Sequence, residues 1–292
     1  MKIITPYINS CQCIWAKGNL HTHTGISDGE FSPQDTVKLY ASNGYNFLMI
    51  SEHDMVCELD GIDSKGMILI KGNEITLEGP HILHVNATNT VYHYPDRQKV
   101  IDEIVKDGGF AILNHPNWED NFDHCPLALL EALQNYTGIE IYNGIVRKLP
   151  GNPESTDKWD ILLSRGKLVW GFANDDAHWG DTFCVAWNVA QLKEFSQKDL
   201  LDALKNGRFY ASTGVEIESI EVENTTIHIS TKNATKCAVI STYGRRIFEI
   251  KDKEITYQVE NNLKFPYIRF EFWGQGEEKA WTQPFLISSE DN

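Results

Sequence analysis

Residues 19–30 read NLHTHTGISDGE and place His21, His23 and Asp28 within eight positions. In an extended segment, residues two apart face the same side, so His21 and His23 direct two imidazoles at one point. Co-directed neutral imidazoles are a usual base for zinc, manganese or iron. Asp28 lies in the loop GISDG, which can fold back toward the same point. Further donors recur along the chain. His53 stands in SEHD behind FLMI, Glu74 follows MILIKGN, and His84 lies within HILHVNA. His115 follows FAIL, and Asp176 and His178 follow LVWGFA. Each short apolar run is thereby capped or carried by a potential metal ligand, nine residues in all, the number a polynuclear site calls for.

Short buried strands must hold these donors. Residues 45–50, 67–71, 82–85, 110–113, 139–142 and 168–173 are apolar enough for that. Helix-like stretches lie between them: one opening at Ser32-Pro33 with Asp35, then 95–106 stopped by Gly108-Gly109, 126–134, and 154–165 ended by Gly166. This alternation predicts βα units around a parallel sheet or barrel, an α/β fold. In a parallel barrel the carboxyl ends of all strands open onto one face, where catalytic groups collect. The pattern changes at residue 196. After a helix at 196–206 it becomes period two, over 216–222, 226–230, 237–241, 247–250, 255–259 and 267–273, which reads as an all-β, sandwich-like module. Residues 1–195 and 196–292 are therefore expected to be separate units.

The chain has 292 residues, enough for one large or two ordinary domains. Its 41 acidic against 26 basic residues give a formal charge of -15, which repels polyanions at long range. No extended nucleic-acid groove is expected. A small-molecule or short anionic substrate is compatible if bound metal reverses the local field. No apolar run reaches the roughly 18 residues of a membrane helix, so no membrane partner is expected. The opening MKIITPYINSCQCIW does not look like a secretory signal, and the chain reads as cytoplasmic. The six cysteines lack C-x-x-C spacing and are expected to be reduced thiols.

The motifs NLHTHTGISDGE, SEHD, GNEIT, ILNHP and NDDAH, in this order over about residues 17–190, resemble those of the PHP (polymerase and histidinol phosphatase) family of metallohydrolases. The later NGRFYASTG and AWTQPF resemble a β extension found on a subset of these proteins, some related to carbaryl hydrolases. The resemblance implies a distorted seven-stranded (β/α) barrel with the β module appended, and two or three divalent ions, zinc, manganese or iron. One ion would take His21, His23, Glu74 and Asp176. A second would share Glu74 and add His84 and His115, and a third would take Asp28, His53 and His178. HILHVN also offers His81, an odd step from His84 and so facing the other way. His84 is preferred because Leu83 and Val85 fit the family's strand. Asp176 is preferred to Asp175 for its Asp-x-His spacing.

Such a site would hydrolyse an ester with water activated by the metal. A phosphate ester is the leading substrate, and a carboxylic ester, amide or carbamate the alternative. Glu74, His115, Asp176 and His178 are the catalytic candidates, with His115 or His178 supplying the leaving-group proton. Glu140 and Asn143 end the strand IEIYN on the same face, where Asn143 is a candidate either to bind substrate or to hold a ligand residue in place. Arg147 and Lys148 follow as the cations placed to grip an anion. Trp118 and Trp179 flank ligand motifs, where they either wall a pocket or pack. Asp54 is expected to orient a histidine, and His93, His124 and His228 receive no role. A closed structural metal site would be rich in cysteine, unlike this set.

Overall fold

Each apolar run forms a strand whose side chains alternate between two buried layers. The computed structural model describes residues 1–9, 13–260 and 265–288. It begins with β1 (Lys2–Ile4), β2 (Ile14–Asn19), α1 (Pro33–Ser42), β3 (Phe47–Ile50), β4 (Ile68–Ile75), β5 (Ile82–Val85) and α2 (Arg97–Lys106). Then come β6 (Phe110–Leu113), α3 (Leu127–Ala132), β7 (Gly138–Asn143), α4 (Thr156–Ser164), β8 (Trp170–Asn174), β9 (Trp187–Leu192) and α5 (Gln197–Lys205). Local chemistry starts the helices where the sequence indicated. Ser32 accepts from the Asp35 N–H with Pro33 in the first turn, and Asp96 and Ser196 cap α2 and α5 in the same way.

The strands β2, β3 and β4 run parallel, as do β6, β7 and β8. β5 departs from the expected parallel arrangement and pairs antiparallel with both β4 and β6. The link from Ile75 to Ile82 is too short for a crossover helix, so the chain can only turn back on itself. One layer of side chains, including Phe47, Met49, Ile70, Leu83, Val85, Ile112 and Phe172, packs on the inner face of the sheet. The other, including Ile75, Ile82, Leu113, Ile139 and Ile141, is covered by Val100, Ile101 and Ile104 of α2 and Trp159 and Leu162 of α4. The two ends of this set approach each other. Thr22 bridges Ala177 just beyond β8, and Asn174 Oδ1 accepts from the Leu20 N–H at 3.2 Å.

After α5 come β10 (Phe209–Ser212), β11 (Ile217–Glu223), β12 (Thr226–Thr231), β13 (Lys236–Ser241), β14 (Arg245–Ile250), β15 (Glu254–Gln258), β16 (Tyr267–Trp273), β17 (Lys279–Thr282) and β18 (Phe285–Ser288). β9 pairs antiparallel with β2, and β10 with β9, so the first sheet continues without a break into β17, β16, β18 and β1. A separate antiparallel sheet, β11-β12-β15, packs on it through Ile217, Ile227, Ile229, Ile255, Phe270 and Phe272. The expected division near residue 195 thus falls between two hydrogen-bonded strands. Across that seam Arg269 of β16 forms a fork with Asp160 of α4, Nε to Oδ1 at 2.8 Å and Nη2 to Oδ2 at 2.6 Å. Gln283 clamps both backbone groups of Gly171. Cys13, Cys57, Cys125, Cys184 and Cys237 are free thiols, and Cys11 lies outside the described residues. Among the described residues no helix is long and apolar enough to cross a membrane.

Candidate metal centre

Glu74, on the inner face near the end of β4, is the hub of the site and is 1% exposed. Its Oε1 lies 3.3 Å from His21 Nε2, 3.1 Å from His81 Nδ1 and 3.3 Å from His115 Nε2. Its Oε2 lies 3.5 Å from His23 Nε2 and 3.1 Å from His53 Nδ1. Each carboxylate oxygen thus faces its own group of imidazoles, the arrangement a bridging ligand needs. Asp176 Oδ1 joins His21 Nε2 at 3.1 Å and His23 Nε2 at 3.3 Å. Beside them the donor atoms of His23, Asp28, His53 and His178 all lie within 4.8 Å of one another.

Strand ends aim these side chains. His21 and His23 follow β2, one on each side of the Thr22 bridge to Ala177. His115 and Asp176 follow β6 and β8 with φ of 28° and 52°, left-handed backbone that non-glycine residues seldom adopt. Asp175 turns away instead. It accepts from Tyr40 Oη and from the N–H groups of Cys184, Val185 and Ala186, and burial pushes its carboxyl up to about 6. The choice of Asp176 over its neighbour therefore matches where the two side chains point.

His84 is a correction. It does not join the cluster; its Nε2 lies 3.4 Å from Asp107 near the end of α2, and burial pushes its imidazole down to about 4. Leu83 and Val85 belong to the inner layer, so the residue between them must face outward. Because β5 runs antiparallel, its beginning rather than its end lies beside the carboxyl ends of β4 and β6. His81, just before β5, therefore takes the place at Glu74 that His84 was expected to fill.

Of the three substrate candidates, Asn143 takes the supporting alternative, and Arg147 and Lys148 do not line the cleft. Asn143 is buried and its amide donates to Glu140 Oε2 at 2.8 Å and to Asp176 Oδ2 at 3.1 Å, which holds Asp176 rather than a ligand. Arg147 and Lys148 point to solvent from the short turn after β7, and Lys148 Nζ pairs with Asp181 at 2.5 Å. Asp54 caps Thr76, accepting from its N–H at 3.0 Å and its hydroxyl at 2.6 Å, and orients no histidine.

Three residues with no role assigned from sequence contribute to the site. Glu140 is buried, takes the His21 Nδ1 proton at 2.8 Å and accepts from the His115 N–H at 2.8 Å. That bond commits Nδ1–H, so the lone pair of His21 would form on Nε2, beside Glu74 and Asp176, once a cation displaces the Nε2 proton. A carboxylate inside the apolar run IEIY was the available signal. Glu52 accepts from the hydroxyls of Thr24 and Ser27, fixing the loop that carries Asp28. His124 packs beside His81 and His115; its Nε2 accepts from the His81 N–H at 3.1 Å and its Nδ1 meets Glu119 at 3.0 Å. It also offers a ring nitrogen within 4.8 Å of those of His81 and His115, so these three make a further candidate donor group. Nothing local in the sequence announces this.

The buried donors fit cations. His21 Nε2, both ring nitrogens of His23, His53 Nδ1, His115 Nδ1 and Asp176 Oδ1 have no hydrogen-bond partner in the protein. Six such atoms at one spot would be costly unless a ligand completes them. The protonation pattern points the same way. Burial works to lower the His21 pKa, yet Asp176, Glu74 and Glu140 hold it well above the usual imidazole value. Burial likewise opposes ionisation of Glu74, yet His21 and His81 hold its carboxyl well below the usual range. Protons stand where positive charge is wanted, and divalent ions would replace them.

Above this floor opens a cleft of about 300 Å³. Asp28, His53, Glu74, His81, His115, Asp176 and His178 line it together with the apolar Trp118, Ile145, Val146, Leu149 and Trp179.

No protein-family model matches the sequence, and no curated protein matches it. Solved structures do. A two-domain protein from Bacteroides vulgatus, described as containing a predicted PHP-like metal-dependent phosphoesterase, aligns with a TM-score of 0.56 and 19% identity, over 99% of this chain and 98% of its own. An amidohydrolase from Chromobacterium violaceum, solved with sulfate and no metal, aligns with a TM-score of 0.43 and 16% identity, over 55% of this chain and 87% of its own. The first of these likenesses shows a shared fold along the whole length, β module included.

Proposed function

We propose that this chain is a PHP-type metal-dependent hydrolase, a distorted seven-stranded barrel with an attached β module, that cleaves small phosphate esters. The observation that carries the reading is the convergence of unpartnered imidazole nitrogens and carboxylate oxygens around Glu74 at the floor of an open cleft. Three groups of donors support it, His21-His23-Asp176, His23-Asp28-His53-His178 and His81-His115-His124, and Glu74 lies against a histidine of each. Zinc, manganese or iron held there would supply activated water and a Lewis acid for the attacked centre.

The chain's own residues prepare that chemistry. Glu74 holds neighbouring donor groups at a fixed separation through its two oxygens. Glu140 fixes the tautomer of His21, and Asn143 fixes the carboxylate of Asp176. His178 donates Nδ1–H to the Asp176 carbonyl at 2.9 Å, which turns its Nε2 toward Asp28. His115 and His178 both line the cleft, and whichever of them is not bound to metal is available to protonate a leaving oxygen.

One observation favours the carboxylic ester, amide or carbamate reading as a second possibility. Among the described residues lining the cleft there is no lysine or arginine. Two divalent ions would balance the formal charge of Asp28, Glu74, Glu140 and Asp176, and only a third would leave the floor net positive for a phosphate dianion. The test is hydrolysis of matched aryl phosphates and aryl esters by protein loaded with manganese, zinc or iron. Faster phosphate cleavage is the expected result. Faster ester cleavage would shift the assignment to the second reading, and no turnover of either would end both.

A further inference from the structure

We infer that the substrate carries a flat apolar group, an aryl ring, beside the bond that is cut, and that the cleft sides are its binding wall. This rests on the hydrolase reading above. The cleft is lined by two chemistries, the ionisable side chains around Glu74 and the apolar side chains of Trp118, Ile145, Val146, Leu149 and Trp179. A bare phosphate or a small polar alcohol would leave those apolar side chains against water. Trp179 is 43% exposed, a large apolar surface at the rim directly after the ligand candidate His178. Single exposed apolar residues are ordinary, but this one lines the same cleft as four other apolar side chains.

The wall is built firmly. Trp118 packs edge-on against His115, ring centres 5.0 Å apart at 82°, so the apolar wall and the metal floor meet at one contact. Its loop is pinned from below by the buried Lys158, whose ammonium donates to the carbonyls of Pro116 and Cys125, both at 2.9 Å, and to Asp123 at 2.9 Å. Ile145 and Val146 stand on the turn whose next residues, Arg147 and Lys148, point to solvent, so that turn presents its apolar side to the cleft. A space of about 300 Å³ is enough for one or two rings. Two tryptophans in the lining suit a planar ring, which gains offset or edge contacts beyond its buried area.

The test uses two non-cleavable pairs on manganese-loaded protein: phenylphosphonate against methylphosphonate, and benzohydroxamate against acetohydroxamate, with binding followed by calorimetry. Burying a ring should favour the aryl member about thirtyfold. Trp179→Ala, at an exposed position that leaves folding intact, should cut that preference about tenfold while the methyl probe binds as before. If the phosphonates fail to bind while benzohydroxamate is preferred, the phosphate reading falls and the aryl inference stands. Equal binding of aryl and methyl members in the pair that binds, or equal weakening of both by Trp179→Ala, overturns the inference.

Discussion

Replacing Arg269 by methionine should loosen the whole protein, not the β module alone. The side chain is 1% exposed and Asp160 is 4% exposed, so the fork between them is out of water. Arg269 Nη1 also reaches Glu271 at 2.7 Å, and its guanidinium lies 5.0 Å from the centre of the Trp159 ring. Methionine keeps much of the volume but leaves Asp160 facing no cation. Removing one partner of a buried pair costs about 3–5 kcal/mol. Here the lower end applies, since Tyr267 Oη still donates to Asp160 at 2.8 Å. About 3 kcal/mol is a large part of a total near 5–15 kcal/mol and corresponds to a fall in Tm of about 6 °C. The double variant Asp160→Leu/Arg269→Met, which removes both charges, should recover most of the loss. The assay is urea unfolding followed by tryptophan fluorescence and circular dichroism together. The reasoning requires one coincident transition that moves with the mutation. A loss under about 1 kcal/mol, typical of an exposed pair, would refute burial of the charge. Two separate transitions, only one of them shifted, would refute the shared sheet.

His81→Ala should lower bound metal by about one ion per chain, whereas His84→Ala should leave the metal content unchanged; elemental analysis of both variants decides, and the opposite result would restore His84 as a ligand. Glu140→Gln should weaken metal binding about 10–100-fold through loss of the charged partner of His21, with the fold retained by circular dichroism. The pH dependence of stability follows from His84. Its folded pKa of about 4 lies below the usual 6.5, so the unfolded chain binds the extra proton. Stability contributed by the neutral ring is complete above about pH 6.5 and lost as the pH falls toward 4, about 3 kcal/mol in all. His84→Gln should flatten that slope in urea titrations; an unchanged slope would assign it to other groups. Stripping metal with a chelator should abolish hydrolysis and lower the melting temperature, and adding one divalent cation back should restore both.

The donor types, their attachment to strand ends and the inside–outside parity of most strands were legible in the sequence alone. His21, His23, Asp28, His53, Glu74, His115, Asp176 and His178 all meet at one place, and each was marked by an apolar run beside it. The β strands of the second half were visible by alternation, apart from β10, β17 and β18, which are short and fully or partly buried on both sides. β2 and β9, which join the two halves, were missed for the related reason that IWAKGN and WNVAQL show no clean period.

Tertiary structure decided the rest, because pairing partners lie far away in sequence. The direction of β5 settled which histidine reaches Glu74, since parity separates His81 from His84 but does not say which end of a strand opens on the site. Glu140 became a positioning group only because β7 brings it beside a histidine 119 residues away. Arg147 and Lys148 had the right charge for an anion, yet the turn carrying them faces Ile145 and Val146 inward. Local sequence encodes which side of an element avoids water; which buried sides then face each other is a property of the assembled sheet.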